Sequence, residues 1–266
     1  MSSSASSHRD SRDLIDRSHK ATDPLGTLTF VGLRGADPFL QYRILKYNWG
    51  NALIERLGST TLPSGPAWIT NTALDRLALS PYRSILLAMC VGSVLKQNIH
   101  HLWVRQERMD VAASAAVGAL NAGLNSINSL LFICSHTSAS VNGEHFPQTP
   151  LIVGSTLYVL GLSLEFISEL QRSEFKGDTA NNGKIYSGGL FRLSRHINYF
   201  GYTLWRGGYA LAAGGWVWGA TVTAFFAWDF VTRAIPVLQD YLREKYGAQY
   251  AAYEKKVPYK FVPYLY

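Results

Sequence analysis

Long apolar stretches recur along this chain and limit the folds open to it more than any other feature. They cover residues 81–95, 111–134, 150–170, 196–213 and 216–231. A helix that crosses a bilayer needs about 20 apolar residues, and somewhat fewer where it packs beside others. Hydrophobic residues make up 47% of the chain and charged residues only 16%, against roughly 25% charged in soluble domains. The sequence predicts an all-α, polytopic integral membrane helix bundle with about five to seven transmembrane helices.

The charges of the intervening loops predict how this bundle is oriented. Loops 96–110 and 171–195 and the C-terminal tail are basic, whereas loop 135–149 has no Lys or Arg. Cytosolic loops of membrane proteins are enriched in Lys and Arg, so the basic loops and the C-terminus are expected in the cytosol. The uncharged turn at Gly214 and Gly215 fits a tight hairpin that faces the other side.

The first 58 residues differ from the rest of the chain. Residues 1–26 are rich in Ser and charged residues and lack the apolar core of a signal peptide, which predicts a disordered cytosolic tail. Residues 27–58 mix apolar and basic side chains. That mixture predicts an amphipathic or shallowly inserted helix.

The net charge of +7 is compatible with nucleic acid, an anionic membrane face or a phosphate-bearing cofactor as the partner. No nucleic-acid-binding motif occurs in the sequence, which favours the last two. Cys90 and Cys134 lie in apolar stretches and are expected to be small buried side chains. The pair His100–His101 stands alone in its loop, so no metal site is expected.

Polar side chains inside the apolar stretches indicate contacts within the bundle. Asn121, Asn125 and Asn128 follow helical spacing and share one face. Amides in a membrane need partners, so they either hydrogen-bond neighbouring helices or line a cavity for a cofactor or substrate. Both interpretations remain open at this point.

Three acids in the apolar stretches are candidates for proton transfer. Glu165 and Glu169 recur one helical turn apart near the end of one stretch, and Asp229 lies in the last one. Each could be a proton donor, and each could equally form an ion pair with Arg206.

The stretch that starts at residue 196 holds the densest set of functional side chains. A repeat of four and three residues places two Arg and three Tyr on one predicted stripe: Arg195, Tyr199, Tyr202, Arg206 and Tyr209. His196 and Asn198 flank it. Such a stripe suits an anionic ligand with an aromatic part, a description that fits both dinucleotides and S-adenosylmethionine.

Three motifs in this half of the chain resemble a known family. The run GGLFRLSRHINYFGY at 188–202 resembles the motif G-x-[FW]-x-x-x-R-H-x-N-Y-x-G of membrane sterol reductases. The tail at 245–266 resembles their closing K-Y-G…V-P-Y…P pattern, and QRSEFK at 171–176 their Q-K-x-x-F-R element. The chain thus resembles the family with a steroid 5α-reductase C-terminal domain, often called DUF1295, and in particular its fungal members. Isoprenylcysteine carboxyl methyltransferases are similar in a more distant way.

The resemblance implies a division of the membrane part and a set of site residues. Residues 27–149 would form the helices on the substrate side, and residues 150–266 the steroid-reductase-like domain, which binds NADPH at the cytosolic face of the endoplasmic reticulum. The expected cofactor contacts are Arg172, Lys176, Phe191, Arg195, His196, Asn198, Tyr199, Asp240, Tyr246 and Tyr253. Arg172 and Lys176 are one helical turn apart, so both can face one phosphate group.

The activity that the resemblance implies is NADPH-dependent reduction of a C=C bond in a lipophilic substrate, such as a sterol, steroid, terpenoid or enoyl lipid. Tyr202, Glu165 and Asp229 are the candidate proton donors, in that order. Some reductase residues are replaced, because Tyr202 stands where an acid usually follows the motif's last Gly, and 237–239 replaces an R-D-E run. The alternatives are an S-adenosylmethionine-dependent methyltransferase and a repurposed relative, either an isomerase or cyclase without net redox change or a membrane scaffold.

Overall fold

The computed structural model describes residues 23–104 and 109–266, and the regular secondary structure of this part of the chain is helical. Its helices are α1 (Pro24–Tyr47), α2 (Asn51–Arg56), α3 (Pro81–Ile99), α4 (Val111–Ile133), α5 (Thr149–Gly177), α6 (Ile197–Asp229), α7 (Ile235–Tyr246) and α8 (Ala248–Lys256). Within these ranges the only β pairing is an isolated antiparallel bridge between Thr61 and Cys134. The predicted all-α class is confirmed, and the predicted tail falls almost wholly outside the described residues.

Three helices in the described ranges are long and apolar enough to cross a membrane: α4, α5 and the continuous helical stretch Ile197–Tyr246. Inside α6, Gly215 has a φ of 75° and interrupts the helix. The helix folds back there, since Gly207 faces Thr223 and Gly219 faces Leu211. The predicted hairpin around Gly214 and Gly215 is confirmed, and the fold is that of an integral membrane helix bundle.

Helices α5 and α6 approach each other more closely than side chains would allow. A Cβ atom on Gly154 would lie 2.5 Å from the carbonyl oxygen of Gly208, and one on Gly161 would lie 2.5 Å from that of Gly201. Small residues at matched positions let two membrane helices pack backbone against backbone. This glycine seam fixes the last turns of α5 beside the first turns of α6, where the predicted cofactor residues lie.

Two sequence predictions are wrong: the location of one helix and the end of another. Helix α1 is not a shallow surface helix, because it packs against α3 and α4 and buries the polar side chains of Arg34, Asp37 and Gln41. Its polar residues therefore face the bundle interior. Helix α5 does not stop near residue 170 but runs on to Gly177, because the segment after residue 170 contains good helix formers such as Gln, Arg and Lys.

A buried arginine that the sequence analysis did not single out ties the long loop after α2 to the bundle. The side chain of Arg83 is 2% exposed. It donates hydrogen bonds to the carbonyl oxygens of Leu62 (3.1 Å), Pro63 (3.0 Å) and Leu45. A guanidinium group offers five donors in a fixed geometry, so one side chain satisfies several backbone carbonyls that no helix uses.

Candidate functional site

A cavity opens where the end of α5, the start of α6, and helices α7 and α8 meet. Together with the open space at its mouth it measures about 490 Å³. Its walls are formed by Arg172, Lys176, Ile185, Tyr186, Phe191, Arg195, His196, Asn198, Leu238, Leu242, Tyr246 and Tyr253.

Most of the residues expected to contact a cofactor line this cavity. The set is Arg172, Lys176, Phe191, Arg195, His196, Asn198, Tyr246 and Tyr253. Two expected residues do not line it: the ring of Tyr199 stacks on Phe230 with centroids 4.6 Å apart, and Asp240 is exposed, 3.5 Å from Arg243. That these residues bind a cofactor stays a prediction.

Four lining residues were not expected: Ile185, Tyr186, Leu238 and Leu242. The two leucines lie one helical turn apart on α7. Leu238 belongs to the segment 237–239, which replaces the charged run of the sterol reductases, and Leu242 follows that segment. Their spacing alone would have placed both on one face of a helix. One wall of the cavity is therefore apolar.

The two predicted phosphate-binding cations both face the cavity, but each already has a partner in the protein. Arg172 forms an ion pair with Glu169 and lies over the ring of Phe191, with its side chain 40% exposed. Lys176 donates a hydrogen bond of 2.9 Å to the Tyr246 hydroxyl and another to a backbone carbonyl. These bonds hold both cationic groups at the cavity wall.

Arg195 fastens the C-terminal tail over the cavity. Its guanidinium donates hydrogen bonds to the carbonyl oxygens of Val257 (2.7 Å) and Pro258 (3.3 Å). The backbone N–H groups of Arg195 and His196 donate to the carbonyls of Tyr259 and Lys260. The predicted stripe is wrong at this end, because Arg195 precedes α6 and its side chain binds the tail.

His196 is a neutral, buried member of the cavity wall. Its ring is 2% exposed and stacks on Tyr199 at 5.6 Å. Burial, followed by the positive charges of Arg195, Arg172 and Lys260, lowers the pKa of His196 to about 3. Its Nε2 atom has no hydrogen-bond partner among the described residues. A buried nitrogen without a partner is a natural contact for a polar ligand atom.

The glycines of the first motif shape the turn before this histidine. Gly189 has a φ of +49°, and a side chain there would collide with Gln171. Oε1 of Gln171 instead accepts a hydrogen bond of 2.9 Å from the backbone N–H of Leu190. The Tyr253 hydroxyl donates to the carbonyl oxygen of Phe191 at 2.7 Å. The three sequence motifs are thus bonded to one another in space.

None of the candidate proton donors lines the cavity. Glu165 pairs with Lys96 and accepts a hydrogen bond of 2.6 Å from the Trp205 indole N–H. The Tyr202 hydroxyl accepts a hydrogen bond of 3.1 Å from Arg206.

Asp229 pairs with Arg233 at 2.6 Å. Glu169 accepts a hydrogen bond of 2.7 Å from Asn198 and pairs with Arg172. The predicted ion pair with Arg206 is wrong, because the partners of Glu165, Glu169 and Asp229 are Lys96, Arg172 and Arg233.

A second polar region lies deeper in the bundle, and we call it the buried polar cluster. It consists of Arg34, Asp37, Gln41, Gln97, Asn121, Asn125 and Arg206. Asp37 accepts hydrogen bonds of 2.7 Å each from Arg34, Gln41 and Asn125. Arg206 donates to both asparagines and lies 4.2 Å above the ring of Trp205.

The three asparagines of α4 share one face, as predicted, and bond other helices. Asn121 accepts a hydrogen bond of 2.8 Å from Gln97 on α3, and Asn125 donates to Asp37 on α1. Asn128 accepts a hydrogen bond of 2.7 Å from the Trp218 indole. None of the three lines the cavity.

A comparison of the chain with protein families identifies the architecture. Residues 124–257 match the model of a protein family of unknown function, DUF1295. The chain belongs to the DUF1295 family. The match includes every residue that lines the cavity, so the cavity is built from the DUF1295 region.

Several curated proteins are similar to this DUF1295 member. A protein named "Probable O-methyltransferase ustE" from Ustilaginoidea virens is 37% identical over 243 residues, which span 89% of this chain and 86% of that protein. Delta(14)-sterol reductase ERG24 of Saccharomyces cerevisiae is 32% identical over 120 residues, 40% of this chain and 26% of the reductase. Protein-S-isoprenylcysteine O-methyltransferase B of Arabidopsis thaliana is 26% identical over 120 residues, 43% of this chain and 57% of that enzyme. By name, two of these relatives are O-methyltransferases and one is a sterol reductase, and the chain spans only part of the last two.

Proposed function

We propose that this protein is a membrane-embedded O-methyltransferase that uses S-adenosylmethionine to methylate an oxygen atom of a lipophilic small molecule. The observation that supports it most is the extent of one likeness: 37% identity across 89% of the chain to a probable O-methyltransferase. The likeness to a sterol reductase spans 40% of the chain. The first likeness includes both the cavity region and the N-terminal helices. It therefore supports a similar activity of the whole protein, whereas a likeness limited to one motif supports only a similar binding site.

The charges around the cavity fit S-adenosylmethionine better than NADPH. NADPH has a pyrophosphate and a 2′-phosphate, whereas S-adenosylmethionine has a single carboxylate. Of the lining cations, Arg172 is paired with Glu169, and Arg195 is engaged by tail carbonyls and lies 3.5 Å from Glu254. Phosphate groups are usually bound by several cationic donors. A cavity whose cations are largely balanced suits a ligand with one negative group.

The polar and aromatic groups of the cavity also fit an adenosine cofactor. The Nε2 atom of His196 and the Nε atom of Arg195 have no partner among the described residues. Tyr186, Phe191 and Tyr253 present aromatic rings to the same space. A purine ring binds well between aromatic side chains, and its nitrogens need hydrogen-bond partners.

In this proposal the side chains have distinct roles. Arg172 and Lys176 would hold the carboxylate of the cofactor, and neutral His196 would hydrogen-bond a polar atom of it. Leu238 and Leu242 would keep water out of the site. When bound, S-adenosylmethionine would supply a methyl group to the acceptor oxygen, which would leave S-adenosylhomocysteine and release the proton of the acceptor to solvent.

A second candidate function is the NADPH-dependent reduction of a C=C bond in a sterol-like or enoyl-lipid substrate. The R-H-x-N-Y element at 195–199 favours it, as do the likenesses to Delta(14)-sterol reductases of Saccharomyces cerevisiae and Candida albicans, at 32% and 33% identity. For either function we propose an endoplasmic-reticulum location with the cavity on the cytosolic side, in agreement with the basic loops.

Calorimetric titration of the full chain in a neutral detergent separates the two candidates. S-adenosylmethionine, NADPH and NADH are titrated into the wild type and into the double variant Arg172→Ala/Lys176→Ala. We expect S-adenosylmethionine to bind and the double variant to bind it about 10- to 100-fold more weakly, since one charge-assisted contact is worth about 1.5–3 kcal/mol. A matched control, Arg56→Ala/Arg76→Ala, removes two exposed cations that do not line the cavity.

The outcomes divide the hypotheses. Tight binding of NADPH without binding of S-adenosylmethionine would replace the methyltransferase by the reductase. Binding of neither would favour a repurposed relative that needs no such cofactor. An equal loss of affinity in the control variant would show that overall charge, not the cavity, governs binding.

A further inference from the structure

The buried polar cluster contains more positive than negative charge. Asp37 pairs with Arg34 at 2.7 Å, and both side chains are fully buried. Arg206 is 3% exposed, and no carboxylate of the described residues lies within 4 Å of it. Its hydrogen bonds go to the amides of Asn121 and Asn125 and to the hydroxyl of Tyr202. The cluster therefore has two guanidinium groups and one carboxylate.

Buried hydrogen-bonding capacity in the cluster is also left over. The Nη2 atom of Arg34 and the Oε1 atom of Gln41 have no hydrogen-bond partner among the residues that the structure describes. A buried cation without a counter-ion and a buried donor without an acceptor both cost free energy. An anionic oxygen would compensate the excess positive charge and accept a hydrogen bond from Arg34, although it would not satisfy the acceptor of Gln41.

The cluster adjoins an aromatic surface and is not fully closed. Gln97 and Tyr202 at its margin are partly exposed. The Tyr202 ring lies 5.0 Å from Trp205 and 5.2 Å from Phe226. A ligand that enters here meets aromatic rings first and cations behind them, so it needs an apolar body and an acidic group.

We propose that the buried polar cluster binds the acidic oxygen, a carboxylate or a phenolate, of the lipophilic molecule on which the enzyme acts. That this molecule is the methyl acceptor rests on the proposed function, whereas the anion site itself does not. Arg206 follows Asn198 by eight residues on α6, or about 12 Å along the helix. The acidic group is therefore an anchor, and the reacting oxygen lies at the other end of an acceptor of about this length.

The test compares a 12-carbon acid with its neutral analogue. Dodecanoate and dodecanol are titrated separately into the full-length protein in a neutral maltoside detergent, and apparent dissociation constants are obtained from the shift in Tm. The variant Asn121→Asp places a carboxylate beside Arg206 without a change in side-chain shape. Arg43→Gln, on an exposed position of α1, is the matched control.

We expect the wild type and Arg43→Gln to bind dodecanoate at least about tenfold more tightly than dodecanol. Asn121→Asp is expected to lose that preference, because the added carboxylate compensates Arg206. Equal affinity of the wild type for acid and alcohol would overturn the proposal, as would an acid preference retained in Asn121→Asp. Because Asp at 121 also loses the hydrogen bond from Asn121 to the Val117 carbonyl, Arg206→Gln is tested beside it, and an acid preference retained in Arg206→Gln would equally overturn the proposal.

The same samples distinguish this proposal from the proposed function. S-adenosylmethionine is titrated into the wild type and Asn121→Asp, and we expect equal affinity because Asn121 does not line the cavity. If S-adenosylmethionine does not bind but the acid preference is present, the methyltransferase proposal fails and the anion site stands. The reverse result removes the anion site alone.

Discussion

The cavity and the buried polar cluster are built from the same residue types but differ in how their charges are compensated. In the cavity, Arg172 faces Glu169 and Arg195 faces backbone carbonyls. In the buried polar cluster, the single carboxylate of Asp37 pairs with Arg34, whereas Arg206 donates only to amide and hydroxyl oxygens. The cavity forms where helices end and the tail crosses them, whereas the cluster forms where helices run side by side. Backbone geometry, and not residue type, therefore decides which arginines line the cavity.

The two regions also differ in their relation to the family. All residues that line the cavity fall within 124–257, the part that matches DUF1295. Of the buried polar cluster, only Asn125 and Arg206 fall in that range. The difference fits a cavity shared by the family and a separate set of N-terminal helices, which under the proposed function would select the acceptor.

The largest expected loss of stability comes from a substitution in the glycine seam between α5 and α6. A Cβ atom at position 161 would lie 2.5 Å from the carbonyl oxygen of Gly201, so Gly161→Ala forces α5 and α6 apart. We expect the free energy of unfolding to fall by about 3 kcal/mol, the upper range for overpacking. Cofactor affinity and dodecanoate affinity are both expected to fall, because α5 and α6 contribute to both regions. Thermal unfolding in detergent with the two titrations measures this.

The control for this change is Gly123→Ala on α4. No atom lies within 4 Å of a Cβ added there, and Ala is favoured over Gly in a helix by up to about 1 kcal/mol. We expect unchanged or slightly higher stability. A Gly161→Ala protein with wild-type stability and wild-type affinities would mean that α5 and α6 can move apart at no cost in stability. The glycine seam would then not couple the two regions.

Much of the fold could be predicted from the sequence, because apolar length and turn residues decide it locally. The spans at 111–134 and 150–170 and the hairpin at Gly214–Gly215 follow from hydropathy and glycine alone. The inward-facing polar residues of α1 could not be predicted, since Arg34 and Asp37 lie one helical turn apart on a face that a surface helix would also show. Only the partners on α3 and α4 reveal that this face is buried.

Residues of the cavity could be predicted where the sequence matches motifs of a known family. They could not be predicted where the structure depends on contacts with the C-terminal tail. The motif positions placed Arg172, Lys176 and Asn198 correctly at its wall. The regular spacing from Arg195 to Tyr209 suggested one continuous stripe, but α6 begins only at Ile197. Helix starts are set by tertiary contacts, here the bonds between residues 194–196 and the tail, which spacing does not report.

The next largest expected effect is a dependence of stability on pH that arises from the buried imidazole of His196 in the cavity. The pKa of His196 is about 3 in the folded protein, and an unfolded histidine has a pKa near 6.5. Below pH 6.5 the unfolded chain binds a proton that the folded protein does not, so stability falls as the pH is lowered. Between pH 6.5 and 5 we expect a loss of about 2 kcal/mol from this group. Thermal unfolding measured across this range checks it.

Two variants isolate the contribution of this imidazole. His196→Gln removes the titrating group, so its stability is expected to depend less on pH by the same amount. His145→Gln replaces an exposed histidine and is expected to retain the wild-type profile. Identical pH profiles for the wild type and His196→Gln would show that the imidazole is not held neutral, and the charge balance argued for the cavity would have to be revised.

The smallest effect is expected at Asp229, a candidate proton donor that belongs to neither region. It pairs with Arg233 on the same helix, and the two side chains are 24% and 35% exposed. Such partly exposed pairs contribute about 0.5 kcal/mol to the free energy of unfolding. Asp229→Asn is therefore expected to change the Tm little. It is also expected to leave the rate of the proposed methyl transfer within about twofold of the wild type. Glu169→Gln, which disturbs the buried contacts with Asn198 and Arg172, is expected to cost more, about 1–3 kcal/mol. A tenfold or larger loss of rate in Asp229→Asn would instead assign proton transfer to this acid and place the chemistry outside the cavity.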